Sequence, residues 1–150
     1  MTYAHRGSTA LALGAALLGL AAGPPGVAAQ AKPATAPKVT IVSPKDGEVL
    51  TGPRVHVVLA VEGVEIAPAA MHRPGTAHHH LFLDVDMTAP TARIPAGGIG
   101  VGIVRLGGGE TEFTFDSVPP GVHRLIDVLG HANHIPLNPL VVDSVHFTVK

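Results

Sequence analysis

The sequence contains no cysteine and no tryptophan, and its single tyrosine is Tyr3. Without cysteine the protein forms no disulfide, has no thiolate nucleophile and carries no cysteine-linked lipid anchor. Charged residues make up only 14% of the chain, and the formal net charge is −1 at pH 7. This balance lacks the basic excess that binding to nucleic acid or to an anionic membrane surface requires. The fold therefore has to rely on its hydrophobic core.

Sequence motifs of common enzymes are missing as well. The chain has no Gly-x-Ser-x-Gly elbow of the hydrolases. The glycine run 107–109 is not followed by Lys-Ser or Lys-Thr, so it predicts a hairpin turn rather than a phosphate loop. Because nothing names a substrate, we predict that the protein is not an enzyme. A metalloenzyme with an open metal position is the alternative.

The N-terminal segment has the pattern of a secretory signal peptide. A short basic stretch precedes an uncharged apolar run over residues 10–22, which is shorter than the ~20 residues that span a bilayer. Cleavage sites follow Ala29 and Ala31, and the Ala-x-Ala pattern favours the second. We predict a signal peptide over residues 1–31, a periplasmic or secreted protein, and no membrane span after cleavage. An uncleaved anchor is the alternative.

The remaining sequence predicts one β-domain. Residues 32–37 are rich in Ala, Pro and Lys and predict a flexible lead-in. From residue 38 to 150, short β-branched runs alternate with Gly/Pro turns, and no helical period appears. The predicted strands cover residues 38–42, 54–62, 78–86, 101–106, 110–115, 122–129 and 141–149. About seven strands in about 110 residues predict a single all-β, immunoglobulin-like antiparallel β-sandwich.

Histidine is the residue type in excess, and nine of the ten histidines follow the predicted cleavage site. His78, His79 and His80 open a predicted strand, along which side chains alternate between two faces. If Leu81 faces the core, so does His79, and His78 and His80 share the opposite face. Their β-carbons are then about 7 Å apart. Both imidazoles can reach one Zn²⁺ or Cu²⁺ ion.

A second pair, His131 and His134, lies in the loop after the strand 122–129, at a spacing common among metal ligands. If this loop meets the first pair at one end of the sandwich, the two pairs form a four-nitrogen metal site. The alternative is structural, with the strand histidines in solvent and a buried, hydrogen-bonded His79. The sequence leaves both interpretations open.

Three further residues are predicted to support the histidines or the fold. Asp84 lies four residues beyond His80 on the same face, too distant to bind the same ion, and would orient a ring or hold the strand. Asp127 shares an inward face with His123, and a buried carboxylate needs a partner. His123 and Arg124 are the candidate partners. The ring of His123 is itself expected to bond to backbone at a corner of the fold.

Several stretches carry a family resemblance, and they cover residues 43–47, 75–84, 109–112, 120–125, 129–136 and 141–149. Together they resemble the domain-of-unknown-function family 4399, small exported bacterial domains. The His-His-His-Leu-x-x-Asp run is the most specific of them. Members usually have Asp where this chain has His131, and His where it has Leu137. The resemblance implies an exported β-sandwich and no activity. The histidines that it makes important are His78, His79, His80, His123 and His134.

These observations predict an exported, non-catalytic domain that binds copper or zinc through a histidine cluster. The alternative is a structural or interaction module of the cell envelope, in which the histidines form a hydrogen-bonded network. The sequence indicates no nucleic acid partner and names no protein partner.

Overall fold

The computed structural model describes residues 35–150, so the predicted signal peptide and residues 32–34 lie outside the described residues. The strands are Lys38–Ser43 (β1), Glu48–Leu50 (β2), Val55–Glu62 (β3), Glu65–Ile66 (β4), Thr76–Leu83 (β5), Ile103–Leu106 (β6), Glu112–Phe115 (β7), Gly121–Gly130 (β8) and Val142–Val149 (β9). Two single-turn 3₁₀ helices span Ala69–Met71 and Ile99–Val101. Within residues 35–150, no helix is long and apolar enough to cross a membrane.

The strands form two sheets. One sheet has the order β1-β3-β7, and the other has the order β2-β9-β8-β5, with β4 and β6 both paired to the free side of β5. The longer strands pair antiparallel, whereas the short β2 and β4 pair parallel with β9 and β5. Strands β1, β3 and β7 take the places of A, B and E in an immunoglobulin sandwich, and β5, β8 and β9 take those of C, F and G. The predicted all-β sandwich is confirmed.

The main core lies between the two sheets and follows from period-two alternation. On β9, Val145, Phe147 and Val149 are buried, while His146 between them is exposed, as the sequence predicted. The alternating valines and leucine of β3 meet these side chains from the other sheet. Burying a side chain of this size stabilises the fold by about 1.5–3 kcal/mol, so these facing rows hold the sheets together.

Strand β5 differs from its prediction in extent and in environment. It spans Thr76–Leu83 rather than residues 78–86, because Asp84 adopts a left-handed conformation with φ of 58°. Both faces of β5 are buried, although the sequence left open that the face of His78 would be solvated. Residues 84–102 cover this second face, where Ile94 packs in a cluster with Phe82. His78 and His80 are therefore interior residues.

Candidate metal centre

Three imidazoles converge at the end of β5. His78 and His80 lie on the covered face of β5, and their ring centroids are 4.4 Å apart. His134 approaches both edge-on: its Nδ1 atom is 3.1 Å from Nε2 of His78 and 3.4 Å from Nε2 of His80. One nitrogen from each ring lies within 4.8 Å of the other two, an arrangement that can hold a metal ion. We call these three residues the trihistidine cluster.

The pairing of β5 with β8 brings the loop histidine to the strand histidines. His78 lies opposite Gly130, the last residue of β8, so the chain leaves the sheet beside the cluster. A tight turn follows, closed by a bond from the His134 N–H to the His131 carbonyl at 2.7 Å. His134 has a φ of 65°, and its carbonyl accepts the N–H of Ile94 at 2.8 Å. The turn and the covering segment thus fix His134 over β5.

Arg105 is a part of this site that the sequence analysis did not identify. It lies opposite His80 on the neighbouring strand β6. The Nη1 atom of its guanidinium is 3.4 Å from Nε2 of His134, and the guanidinium donates to the carbonyls of Ile94 and Pro95 at 3.0 Å each. Arg105 lies beside the cluster because of the register between β5 and β6. No sequence motif indicates that register.

The surroundings keep the strand histidines uncharged. Burial lowers the pKa of His78 to about 4, and electrostatic interactions with His134 and Arg105 lower it further, while Glu110 acts in the opposite direction. Burial also lowers the pKa of His80 to about 3, helped by His78 and His134. At neutral pH each ring is therefore neutral and keeps one nitrogen lone pair, which can accept a hydrogen bond or bind a metal ion.

The pKa of His134 is lowered too, first by burial and then by the nearby Arg105, Arg93 and His72. All three rings of the cluster are thus neutral at pH 7. Neutral imidazole is the form that coordinates a metal ion.

Hydrogen bonds do not satisfy all three rings together. When Arg105 donates to Nε2 of His134, the single proton of that ring lies on Nδ1 and can serve one acceptor well. The shorter contact of the His134 Nδ1 atom, at 3.1 Å, is with Nε2 of His78, which is therefore the acceptor. His80 is left with a long contact at Nε2 and with a buried Nδ1 that has no partner of normal geometry among residues 35–150. A shared cation would satisfy the three converging nitrogens at once.

Comparison with known proteins gives the family. Residues 57–150 match the family described as "Domain of unknown function (DUF4399)", which covers more than half of the chain. The chain belongs to this family. The resemblance predicted from the histidine motif is therefore confirmed. No curated protein matches the chain.

Two solved structures are similar to this DUF4399 chain. One is an engineered protein, solved by crystallography, with 11% identity and a TM-score of 0.46, over 76% of this chain and 20% of the other. The second is the solution structure of the PKD domain from human KIAA0319, with 16% identity and a TM-score of 0.41, over 83% of this chain and 92% of the other. The DUF4399 chain thus spans about a fifth of the engineered protein.

His79, between the two strand histidines, points into the sandwich as predicted. Its Nδ1 donates to Oδ2 of Asp127 at 2.7 Å, and both side chains are fully buried. His123 and Arg124 were the predicted partners of Asp127, and this prediction is wrong, because the β5–β8 register sets Asp127 diagonally across from His79. Burial raises the pKa of Asp127, and the bond to His79 opposes that shift.

Asp84 orients a histidine, but one outside the trihistidine cluster. At the far end of β5, its Oδ2 accepts from Nδ1 of His123 at 2.7 Å, and its Oδ1 accepts the N–H of Arg124 at 2.9 Å. The other ring nitrogen of His123, Nε2, lies 2.8 Å from the Pro119 carbonyl, so the predicted contact of this ring with backbone is present. Asp84 and His123 therefore hold a corner of the fold.

His131 is not among the three residues brought together. Its side chain is exposed, and its contribution to the site is the backbone turn that carries His134. The structure therefore brings together three of the four predicted ligands, and His131 as a fourth ligand has no support in this geometry. The sequence could not separate His131 from His134, because the direction of a side chain in a loop depends on the turn.

Proposed function

We propose that this protein binds one transition-metal ion, Zn²⁺ or Cu²⁺, through the trihistidine cluster of His78, His80 and His134. The observation that carries the proposal is the convergence of one nitrogen from each of three imidazoles, two buried and the third (His134) half-buried, within 4.8 Å of one another. Imidazole nitrogen suits both ions. The three ligands come from one strand and one fixed turn, so the ligand set exists before the ion arrives.

The spacing of the nitrogens supports a tetrahedral ion. With Zn–N bonds of about 2.0–2.1 Å, two ligand atoms of a tetrahedral zinc are about 3.3 Å apart. The contacts from Nδ1 of His134, at 3.1 Å and 3.4 Å, lie on either side of that value. The third separation, between the nitrogens of His78 and His80, is at most 4.8 Å, so these two rings complete three corners of the coordination sphere by closing around the ion.

The low pKa values of His78 and His80 also support the proposal. A metal ion competes with protons for imidazole lone pairs. Because the pKa of His78 is about 4 and that of His80 about 3, protons do not compete at neutral pH. The buried rings gain from an ion that satisfies them without charging them.

We place this activity outside the cytoplasm. The N-terminal pattern of residues 1–31 supports export to the periplasm or the exterior. There the protein would hold or buffer the ion rather than turn over a substrate. Three ligands on a rigid β-scaffold are sufficient for such a role.

Isothermal titration of the purified domain with Zn²⁺ and Cu²⁺ tests the proposal. We expect one ion per chain with sub-micromolar affinity, lost in His134→Ala and in the double variant His78→Ala/His80→Ala. His146→Ala is the matched control, because it removes an exposed histidine of β9. Circular dichroism melts establish that each variant is folded. Full binding in the double variant refutes this site, and no binding by the wild type refutes the function.

The second candidate is a structural or interaction module. It is favoured by the pairs His79–Asp127 and His123–Asp84, in which histidines serve as hydrogen-bond partners of carboxylates. This function predicts a melting temperature that is the same with zinc and with chelator. A zinc-dependent rise in melting temperature that His134→Ala removes favours metal binding instead.

A further inference from the structure

A cleft of about 590 Å³ opens beside the trihistidine cluster. His134 forms part of its wall, together with His72, Arg93 and Asn133. The rest of the lining is apolar and comes from the first 3₁₀ helix and the loop that carries His134. No aspartate or glutamate lines this cleft in the part of the chain that the structure describes.

The arginines beside this cleft differ from the other arginines of the described chain. Three arginines elsewhere each form a salt bridge with a carboxylate, in the pairs Arg54–Asp116, Arg73–Glu65 and Arg124–Asp86. Arg93 and Arg105 form none with any residue between 35 and 150. Two guanidinium charges without counter-charges thus lie next to His134.

The exposed side chain of Arg93 has hydrogen-bond donors that are free for a ligand. Its Nε donates to the carbonyl of Asn133 at 3.2 Å, and its two terminal amino groups make no hydrogen bond within residues 35–150. The side-chain oxygen of Asn133 accepts the N–H of Ile135, so its amide nitrogen remains a donor. A guanidinium with two free amino groups beside a second donor suits the two oxygens of a carboxylate.

We propose that this cleft binds a small carboxylate through Arg93, and that the carboxylate and the metal ion strengthen each other's binding. Three neutral imidazole ligands do not reduce the charge of a bound divalent ion. The ion is therefore repelled by the nearby guanidinium groups of Arg93 and Arg105. An anion in the cleft offsets this repulsion, and by thermodynamic linkage the ion strengthens the binding of the anion equally. The carboxylate site stands on the cleft and on Arg93 in its wall; the coupling rests on the function proposed above.

Zinc titrations with and without acetate test the coupling. We expect acetate to tighten zinc binding to the wild type by about fivefold or more, and to leave Arg93→Gln unchanged. Arg54→Gln is the matched control, because it removes a surface arginine that directly precedes β3 of the other sheet, and it should keep the effect of acetate. Weak complexes between zinc and acetate in solution affect all three proteins equally. An equal effect of acetate in Arg93→Gln, or none in the wild type, overturns the coupling.

Titration of the metal-free, ¹⁵N-labelled protein with acetate tests the carboxylate site separately. We expect saturable shifts of the Asn133 and His134 amides that disappear in Arg93→Gln and persist in Arg54→Gln. If these shifts occur while no zinc binds, the metal function fails and the carboxylate site stands. If zinc binds while acetate shifts neither amide, the carboxylate site is overturned and the metal function stands.

Discussion

The ring of His80 occupies the space that a side chain at Gly130 would need. A Cβ atom at Gly130 would lie 2.6 Å from Cε1 and 3.0 Å from Nδ1 of His80. We therefore expect Gly130→Ala to turn the His80 ring away from the cluster. Zinc affinity, measured by calorimetry, should fall by about 10- to 100-fold, the range seen when the support of a metal ligand is removed.

Gly107→Ala is the matched control for this steric effect. Nothing lies within 4 Å of a Cβ atom at Gly107, and its φ is not positive. Its zinc affinity should equal that of the wild type. Wild-type affinity in Gly130→Ala would show that His80 is not a ligand, or that its ring moves freely.

The pair His79–Asp127 predicts a loss of stability without loss of the metal site. His79→Ala leaves a fully buried carboxylate without its hydrogen-bond donor, and breaking such a pair costs about 3–5 kcal/mol. Urea unfolding followed by circular dichroism measures this cost, since residues 35–150 contain neither tryptophan nor tyrosine. The stoichiometry of zinc should stay at one ion per chain.

A double-mutant cycle shows whether the two side chains act as a pair. The variant His79→Ala/Asp127→Ala should lose less stability than the sum of its single variants, because it leaves no unpaired polar group. The exposed His56 provides the control substitution, His56→Ala, which should change stability by less than about 0.5 kcal/mol. Additive losses in the cycle would contradict the pairing.

The β-sandwich could be predicted from the sequence because the alternation of apolar and polar residues and the turn residues are local features. The inward row of β9 and the predicted direction of His79 needed only a period of two. Strands β2 and β4 were not predicted, because strands of three and two residues are too short to show an alternation of buried and exposed side chains. Asp84 ended β5 early through a left-handed conformation that its neighbours in sequence do not indicate.

The site was predicted only in part, because its geometry depends on register and loop paths. The i, i+2 spacing of His78 and His80 is a local feature, and it was sufficient to predict that both rings lie on the same face of one strand. The approach of His134 depends on the β5–β8 pairing and on the turn after Gly130, and Arg105 depends on the pairing with β6. Neither pairing can be read from one sequence without knowing which strands are neighbours.

The lowered pKa values of His78 and His80 predict that the metal-free protein loses stability in acid. In the unfolded chain both groups titrate near 6.5, whereas in the native state their pKa values are about 4 and about 3. Between pH 6.5 and pH 4 the unfolded chain therefore binds more protons. Stability should fall as the pH falls, by up to about 1.4 kcal/mol per pH unit for each histidine. Urea unfolding at pH 7.5, 6.5 and 5.5 in the presence of chelator measures the slope.

The double variant His78→Ala/His80→Ala isolates this effect. Asp127 acts with the opposite sign, because burial raises its pKa and protonation then favours the native state. That contribution remains in the variant, so the difference between the two slopes belongs to the two histidines. An unchanged slope in the double variant would refute the assignment.

Arg105 should oppose metal binding while it stabilises the fold. Coordination through Nδ1 of His134 requires the proton on Nε2, where it would face the Nη1 donor of Arg105 at 3.4 Å. In Arg105→Gln the side-chain oxygen can accept a hydrogen bond from this Nε2–H group and the nearby positive charge is gone, so zinc should bind more tightly. The carbonyls of Ile94 and Pro95 lose their donors, and stability should fall by about 1–3 kcal/mol. Calorimetry and urea unfolding separate the two effects, with Arg124→Gln as a control that leaves zinc affinity unchanged. Weaker zinc binding in a folded Arg105→Gln would mean that the ion does not use Nδ1 of His134.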